Sequence, residues 1–191
     1  MQQQIKETLK QSVLLKLQII DNEPIIKAVA NIAKELTYIF KNEGKVLFCG
    51  NGGSAADAQH LAAELSGRFY LDRPPLFAEA LHTNSSFVTA VGNDYDFTEI
   101  YARAIRAKGR AGDALFAIST SGHSDNILKA IEAAKERGLL TIGLTGKSGG
   151  QMVDLCDYLI KIPSTDTPRI QEAHILVGHI ICELVEEGMF G

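Results

Sequence analysis

The chain has no excess of basic residues: 19 Lys and Arg against 23 Asp and Glu leave a formal charge of −4. No positive field is available for a nucleic-acid backbone or an anionic lipid surface, so neither nucleic acid nor membrane is expected as a partner. Cysteine is scarce too. Cys49, Cys156 and Cys182 are an odd number with no C-x-x-C pair, which argues against a disulfide framework and for reduced thiols in a cytoplasmic protein, each read as a small buried apolar residue. The opening Met1-Gln2-Gln3-Gln4-Ile5-Lys6 lacks the basic-then-apolar layout of a secretory signal, and no apolar run reaches membrane-spanning length. Core material, by contrast, is ample. At 46% hydrophobic over 191 residues, a single domain, 1–191, around one sizeable core is expected.

Ile5, Leu9, Val13, Leu14, Leu17 and Ile20 recur at helical spacing, and a second helix from about Pro24 carries Ile25, Val29, Ile32, Ala33, Leu36 and Phe40 before Asn42-Glu43-Gly44 closes it. This pair reads as a helical extension over about 1–43. Apolar runs of strand length follow at 45–49, 76–81, 114–118, 139–145 and 158–162, alternating with helical stretches. The alternation predicts an α/β fold, a five-stranded parallel sheet sandwiched by helices, with ligands gathering at the carboxyl ends of the strands. Thr167-Pro168 reads as a capping hydroxyl with proline at the first helical position, opening a last helix that runs to about Met189. His174 on that helix is read as a satisfied structural histidine.

Two strand ends are unusually polar. The first, Cys49-Gly50-Asn51-Gly52-Gly53-Ser54, opens a helix on which His60 and Glu64 stack one turn apart. The second, Ser119-Thr120-Ser121-Gly122-His123-Ser124, opens the helix Asp125 to Arg137. Hydroxyls and backbone N–H groups at a helix start hold a phosphate without lysine or arginine. The competing reading is that Ser124 or Asp125 simply caps the helix, but four hydroxyls in six residues favour the phosphate. Asn93-Asp94, after Val91-Gly92, either orients ligand hydroxyls or makes a turn, and on local grounds the turn is favoured. Two motif matches fail. Gly50-x-Gly52-x-x-Ala55 fits the dinucleotide fingerprint, but the next strand ends in His82-Thr83-Asn84 with no acidic residue at its tip. Gly146-Lys147-Ser148 has the tail of a Walker motif, but Thr141 stands where glycine is required, so the segment reads as a flexible turn leaving a strand.

The set Cys49-Gly50-Asn51-Gly52-Gly53-Ser54, Asp57-Ala58-Gln59-His60, Glu64, Gly92-Asn93-Asp94, Ser119-Thr120-Ser121-Gly122-x-Ser124, Leu144-Thr145-Gly146 and Arg169-Ile170-Gln171-Glu172 resembles the phosphoheptose isomerases, within the sugar-isomerase (SIS) fold. The likeness covers nearly the whole chain, including both leading helices. It implies a flavodoxin-like sheet and a homotetramer with sites at subunit interfaces. It also implies conversion of sedoheptulose 7-phosphate to D-glycero-D-manno-heptose 7-phosphate, the first step of ADP-heptose synthesis for the lipopolysaccharide or lipooligosaccharide core. By the same resemblance His60, Glu64, Gln171 and His179 match zinc ligands, one ion per subunit, with Glu64 and His179 also the acid/base pair. Asn51, Gly52, Gly53, Glu64, Asn93, Asp94, Ser119, Thr120, Ser121, Ser124 and Gln171 match substrate contacts. Asp166-Thr167-Pro168-Arg169 departs from members that carry an acidic residue directly before the arginine, so that acid's catalytic role does not pass automatically to Asp166, whose role stays open.

The chemistry accords with these roles. Turning a 2-ketose into an aldose moves a proton from C1 to C2 through an enediol, which calls for a carboxylate beside an acid that serves the oxygens. Glu64 suits the first task and His179 the second. One geometric tension stands: Gln171 and His179 lie about 12 Å apart along a straight helix and roughly 80° apart around it, so they meet only by leaning together or across subunits. Rival readings are non-catalytic. Some proteins of the same fold keep the loops and Ala-Gln-His but assist a replication initiator and lack the acid/base pair, whereas Glu64 and His179 are both present here. A sugar-phosphate-sensing regulatory domain would need an attached module, for which 191 residues leave no segment.

Overall fold

A computed structural model describes residues 1–191. Helices α1 (Gln2–Ile20) and α2 (Glu23–Lys41) precede strand β1 (Val46–Gly50), helix α3 (Gly53–Ser66) and strand β2 (Ala78–Ala80). Helices α4 (Ser85–Asp94) and α5 (Ile100–Lys108) then lead to strand β3 (Ala114–Ile118), helix α6 (Asp125–Glu136), strand β4 (Leu140–Thr145), strand β5 (Tyr158–Lys161) and helix α7 (Thr167–Phe190). The strands form one parallel sheet in the order β2-β1-β3-β4-β5, as the alternation of apolar runs and helices predicts.

Period-two alternation divides the core. Val46, Phe48, Phe116 and Ile118 face α1, α2, α3 and α7, while Leu47, Cys49, Leu115 and Ala117 face α4, α5 and α6. Phe48 and Phe116 stack across β1 and β3 with ring centroids 5.1 Å apart. Because both faces are covered, every residue of β1 and β3 is buried, and the strands read as continuous apolar runs.

Several local readings shift. Strand β2 is shorter than the apolar run 76–81, because the Leu76 N–H is taken by the Leu65 carbonyl at the end of α3. Asn93 and Asp94 do not form a turn: they are the last residues of α4, which Asn84 caps by accepting from the Phe87 N–H at 3.0 Å and which Val91 anchors in the core. Gly146-Lys147-Ser148 is not a loose turn either, since the Gly146 N–H donates to Thr120 O and the Lys147 N–H to Ser164 O. Helix α7 begins one residue early, with Asp166 at the cap position and Thr167 already helical. All three cysteines are unpaired; Cys49 and Cys182 are buried and Cys156 half-buried. Burial pushes the Cys182 and Cys156 thiols up to about 12, so they stay protonated. No helix is long and apolar enough to cross a membrane.

Candidate active site

The order 2-1-3-4-5 creates a switch point. The chain leaves β1 toward β2 on one side and leaves β3 toward β4 on the other, which opens a crevice between the carboxyl ends of β1 and β3. Both polar strand ends meet there. Asn51 and Asn126 exchange two side-chain hydrogen bonds of 2.8 Å, clamping the β1 loop to the first turn of α6. The buried Tyr101 hydroxyl donates to the Gly50 carbonyl from below. Neither Asn126 nor Tyr101 figured in the sequence reading, because each acts through a partner remote in sequence. Gly52 adopts a positive φ of 56°, the left-handed region open to glycine, and so turns the chain directly into α3.

In the second loop Ser124 occupies the cap position of α6 but its side chain makes no capping hydrogen bond. Its Oγ lies 3.2 Å from Ser119 Oγ instead, and Ser119 Oγ accepts from the Gly122 N–H. The reading of Ser124 as a simple cap therefore fails, and the first amides of α6 face outward with the positive end of the helix dipole.

Helices α3 and α7 start at the carboxyl edge of the sheet and run back side by side in the same direction. Gly53 abuts Gln171, Leu61 abuts Gly178, and His60 meets His179. A Cβ on Gly53 would lie 2.5 Å from Gln171 Nε2, so glycine is what allows the glutamine amide to close on the start of α3. Further along, Glu64 Oε1 lies 2.9 Å from His60 Nε2, and His60 Nε2 lies 3.2 Å from His179 Nε2. Phe69 covers His179, ring centroids 5.7 Å apart. Burial and the neighbouring His60 hold His179 below the usual histidine range, against an opposing pull from Glu64. Its ring is thus neutral near pH 7.

Three ligand atoms, one each from His60, Glu64 and His179, lie within 4.8 Å of one another. Atoms bearing lone pairs repel at such separations unless a proton or cation sits among them. Zinc bonds of about 2.0–2.2 Å place neighbouring tetrahedral ligands roughly 3.3 Å apart, so this donor set fits zinc. Gln171 does not join it within the chain, being held two turns away against Gly53. Asn93 and Asp94, hydrogen-bonded to each other at 2.8 Å, are exposed at the end of α4.

Comparison with known proteins agrees with this architecture. The SIS domain model matches residues 9–146. Phosphoheptose isomerase 2 of Campylobacter jejuni is 54% identical over 98% of this chain and 93% of its own length. The phosphoheptose isomerase of Aneurinibacillus thermoaerophilus is 50% identical over 97% and 94%. The solved structure of the Neisseria gonorrhoeae phosphoheptose isomerase superposes with a TM-score of 0.91 at 40% identity, covering 97% of this chain and 98% of that one. With a crevice at the β1/β3 switch point, a carboxylate–imidazole cluster on α3 and α7, and this likeness along the whole chain, the protein belongs to the SIS-domain family, among the phosphoheptose isomerases.

Proposed function

We propose that this chain interconverts sedoheptulose 7-phosphate and D-glycero-D-manno-heptose 7-phosphate, supplying the aldose phosphate from which ADP-heptose is made for a lipopolysaccharide or lipooligosaccharide core. The observation that carries the reading is the meeting of Glu64 and His179 at His60. Glu64 Oε1 is engaged by His60, while no hydrogen bond occupies Oε2. That oxygen takes the proton from C1 and returns it to C2. The neutral His179 ring, able to give one proton and accept another, passes a proton between O1 and O2. Asn51, Gly52, Gly53, Ser119, Thr120, Ser121, Ser124 and Gln171 line the switch-point crevice as contacts for the sugar and its phosphate, with Asn93 and Asp94 as further contacts at the α4 end.

His60, Glu64 and His179 would hold one zinc per subunit, which when bound polarises the C1 or C2 oxygen as a Lewis acid. Seven residues of helix separate Gly53 from His60, about 10 Å, and Gln171 stands about 12 Å from His179. A heptose phosphate, roughly 10 Å long at about 1.5 Å per bond, spans that distance only when fully extended. The family resemblance implies sites shared at subunit interfaces instead. A homotetramer in which one copy's crevice faces another's cluster completes the site and brings Gln171 to a neighbour's metal. The helical pair of about 1–43, an extension of a single domain 1–191, supplies the apolar surface for that assembly. Three unpaired cysteines suit a reducing cytoplasm.

Incubating zinc-loaded protein with sedoheptulose 7-phosphate and following the aldose by NMR tests the reaction. The expected result is an aldose C1 proton signal growing to equilibrium, and Glu64→Gln lowers kcat by about 10²–10⁴-fold. No aldose from the zinc-loaded protein would sink the isomerase reading, whereas full activity in Glu64→Gln would remove only the base.

A further inference from the structure

Asp57 stands on α3 one turn before His60 and carries an oxygen that nothing satisfies. The residue is half-buried, and its Oδ2 is closed off from solvent without a hydrogen-bond partner. Three other enclosed carboxylates are all engaged. Asp113 accepts from Lys45 Nζ at 2.6 Å and from the Arg110 N–H at 2.8 Å, and Asp157 from the Thr141 N–H at 2.8 Å. Glu186 holds the Phe69, Tyr70 and Leu71 amides and Arg73. A capping role does not explain Asp57. Helix α3 starts at Gly53, which puts Asp57 in its second turn, past the amides that a helix start leaves free.

His60 is the group placed to use that oxygen. Residues three apart on a helix hold their Cβ atoms about 5–6 Å from each other, and side chains lean toward the helix start, so the His60 ring lies over the turn that carries Asp57. Burial raises the Asp57 carboxyl, and the charge that opposes the shift is that of His60. His60 makes both of its contacts through Nε2, to Glu64 Oε1 at 2.9 Å and to His179 Nε2 at 3.2 Å. Nδ1 is the nitrogen left over. A histidine that binds a metal through one ring nitrogen keeps its proton on the other and donates it to a carboxylate, carbonyl or water, which fixes the ring and raises its basicity.

We propose that Asp57 is a positioning residue for the metal centre: with zinc bound, it accepts the Nδ1–H of His60 and holds the ring with Nε2 turned toward Glu64 and His179. The inference rests on the zinc reading above and not on the identity of the sugar. It accounts for a carboxylate left unsatisfied beside the cluster, since its donor is the proton that Nδ1 keeps once Nε2 binds the ion.

Zinc affinity of the full-length protein, measured by competition with a chromogenic chelator, tests the role without recourse to turnover. The expected result is a zinc Kd raised about ten- to a hundredfold in Asp57→Ala, with Asp57→Asn, which keeps an acceptor but no charge, in between. The zinc-free melting temperature of Asp57→Asn is expected to match or exceed the native value, because the orphaned oxygen stabilises nothing there, while the rise in melting temperature on adding zinc shrinks. In NMR spectra of the zinc-loaded native protein, a His60 Nδ1–H proton is expected downfield of the amides, absent in His60→Gln and moved upfield in Asp57→Ala. An unchanged zinc Kd in folded Asp57→Asn and Asp57→Ala overturns the proposal and leaves the zinc reading intact. Equal losses of melting temperature with and without zinc would overturn it too, since they mark a purely structural carboxylate. A native protein that binds no zinc removes the zinc reading and this role together, whereas one that binds zinc in an Asp57-dependent way and forms no aldose loses only the isomerase reading.

Discussion

His174 lies fully buried, with Nε2 donating to the Thr145 carbonyl at 3.1 Å and Nδ1 without a partner. Burial pushes its pKa from 6.5 down to about 4, the hydrogen bond opposing. The unfolded chain therefore binds more protons between pH 4 and 6.5, and stability rises with pH across that window. Acidification from 6.5 to 4 removes about 3 kcal/mol through this residue. Asp57 works against it: burial, partly offset by His60, raises its carboxyl from 3.8 to about 6, so the folded state binds more protons and stability falls as pH rises through the same range. The native protein shows the difference of the two. In His174→Gln, which keeps a donor for Thr145 O, the melting temperature is expected to fall less on acidification than in the native protein. Parallel curves from pH 7 to 4 would show that His174 is not held neutral. His60 and Glu64 were legible as a pair at this scale because one turn of a single helix fixes their spacing. The place of Lys147 against the start of α7 was not, since a failed Walker pattern says nothing about which loop lies opposite.

At the scale of elements, the seam between α3 and α7 decides the site, and a buried ion pair locks its far end. Arg73 and Glu186 are both 2% exposed and 2.9 Å apart. Glu186 also accepts from the Phe69, Tyr70 and Leu71 N–H groups at 2.7–3.1 Å. Arg73 donates to the Glu64 and Leu65 carbonyls at the end of α3. Burial alone would raise the Glu186 carboxyl, but the three amides and Arg73 outweigh it and hold it below the usual range. Glu186→Gln leaves the guanidinium buried without a counter-charge, and we expect a loss of about 3–5 kcal/mol in urea unfolding. A loss below about 1 kcal/mol would mean that solvent reaches the pair. The same change loosens the segment that lays Phe69 over His179. Helix α4 escaped a purely local reading because Ser85, Ser86 and Gly92 are weak helix formers, and the Asn84 cap with Val91 in the core holds it helical.

At the scale of the whole molecule, α1 carries the uncovered apolar surface. It buries Leu15 and Ile19 against the rest of the chain and leaves Ile5, Leu9, Val13, Leu14, Leu17 and Ile20 outside, Leu9 being 62% exposed. An apolar stripe of this length on one helix marks an interaction surface. The Ser12 hydroxyl, donating to Glu172 at 2.9 Å, pins α1 to α7 close to Gln171. In Leu9→Glu/Leu17→Glu, light scattering is expected to report species smaller than a tetramer, and, if the proposed site is shared between copies, turnover falls with the mass. A variant that dissociates yet retains full activity would show that one chain holds a complete site.

The sequence alone determined the alternation of strand and helix, the two polar strand ends, and the residue types able to move a proton or hold a phosphate, because period-two and helical patterns and turn chemistry act over a few neighbouring residues. Only the tertiary structure decided which of them meet. The helical repeat relates Gln171 to His179 but says nothing of the phase between α7 and α3. That phase comes from Gly178 seated on Leu61, which sets His179 on His60 and leaves Gln171 at Gly53. Likewise Thr120 and Lys147 face one cavity because parallel β3 and β4 bring their carboxyl ends together, a proximity that their separation along the chain does not encode.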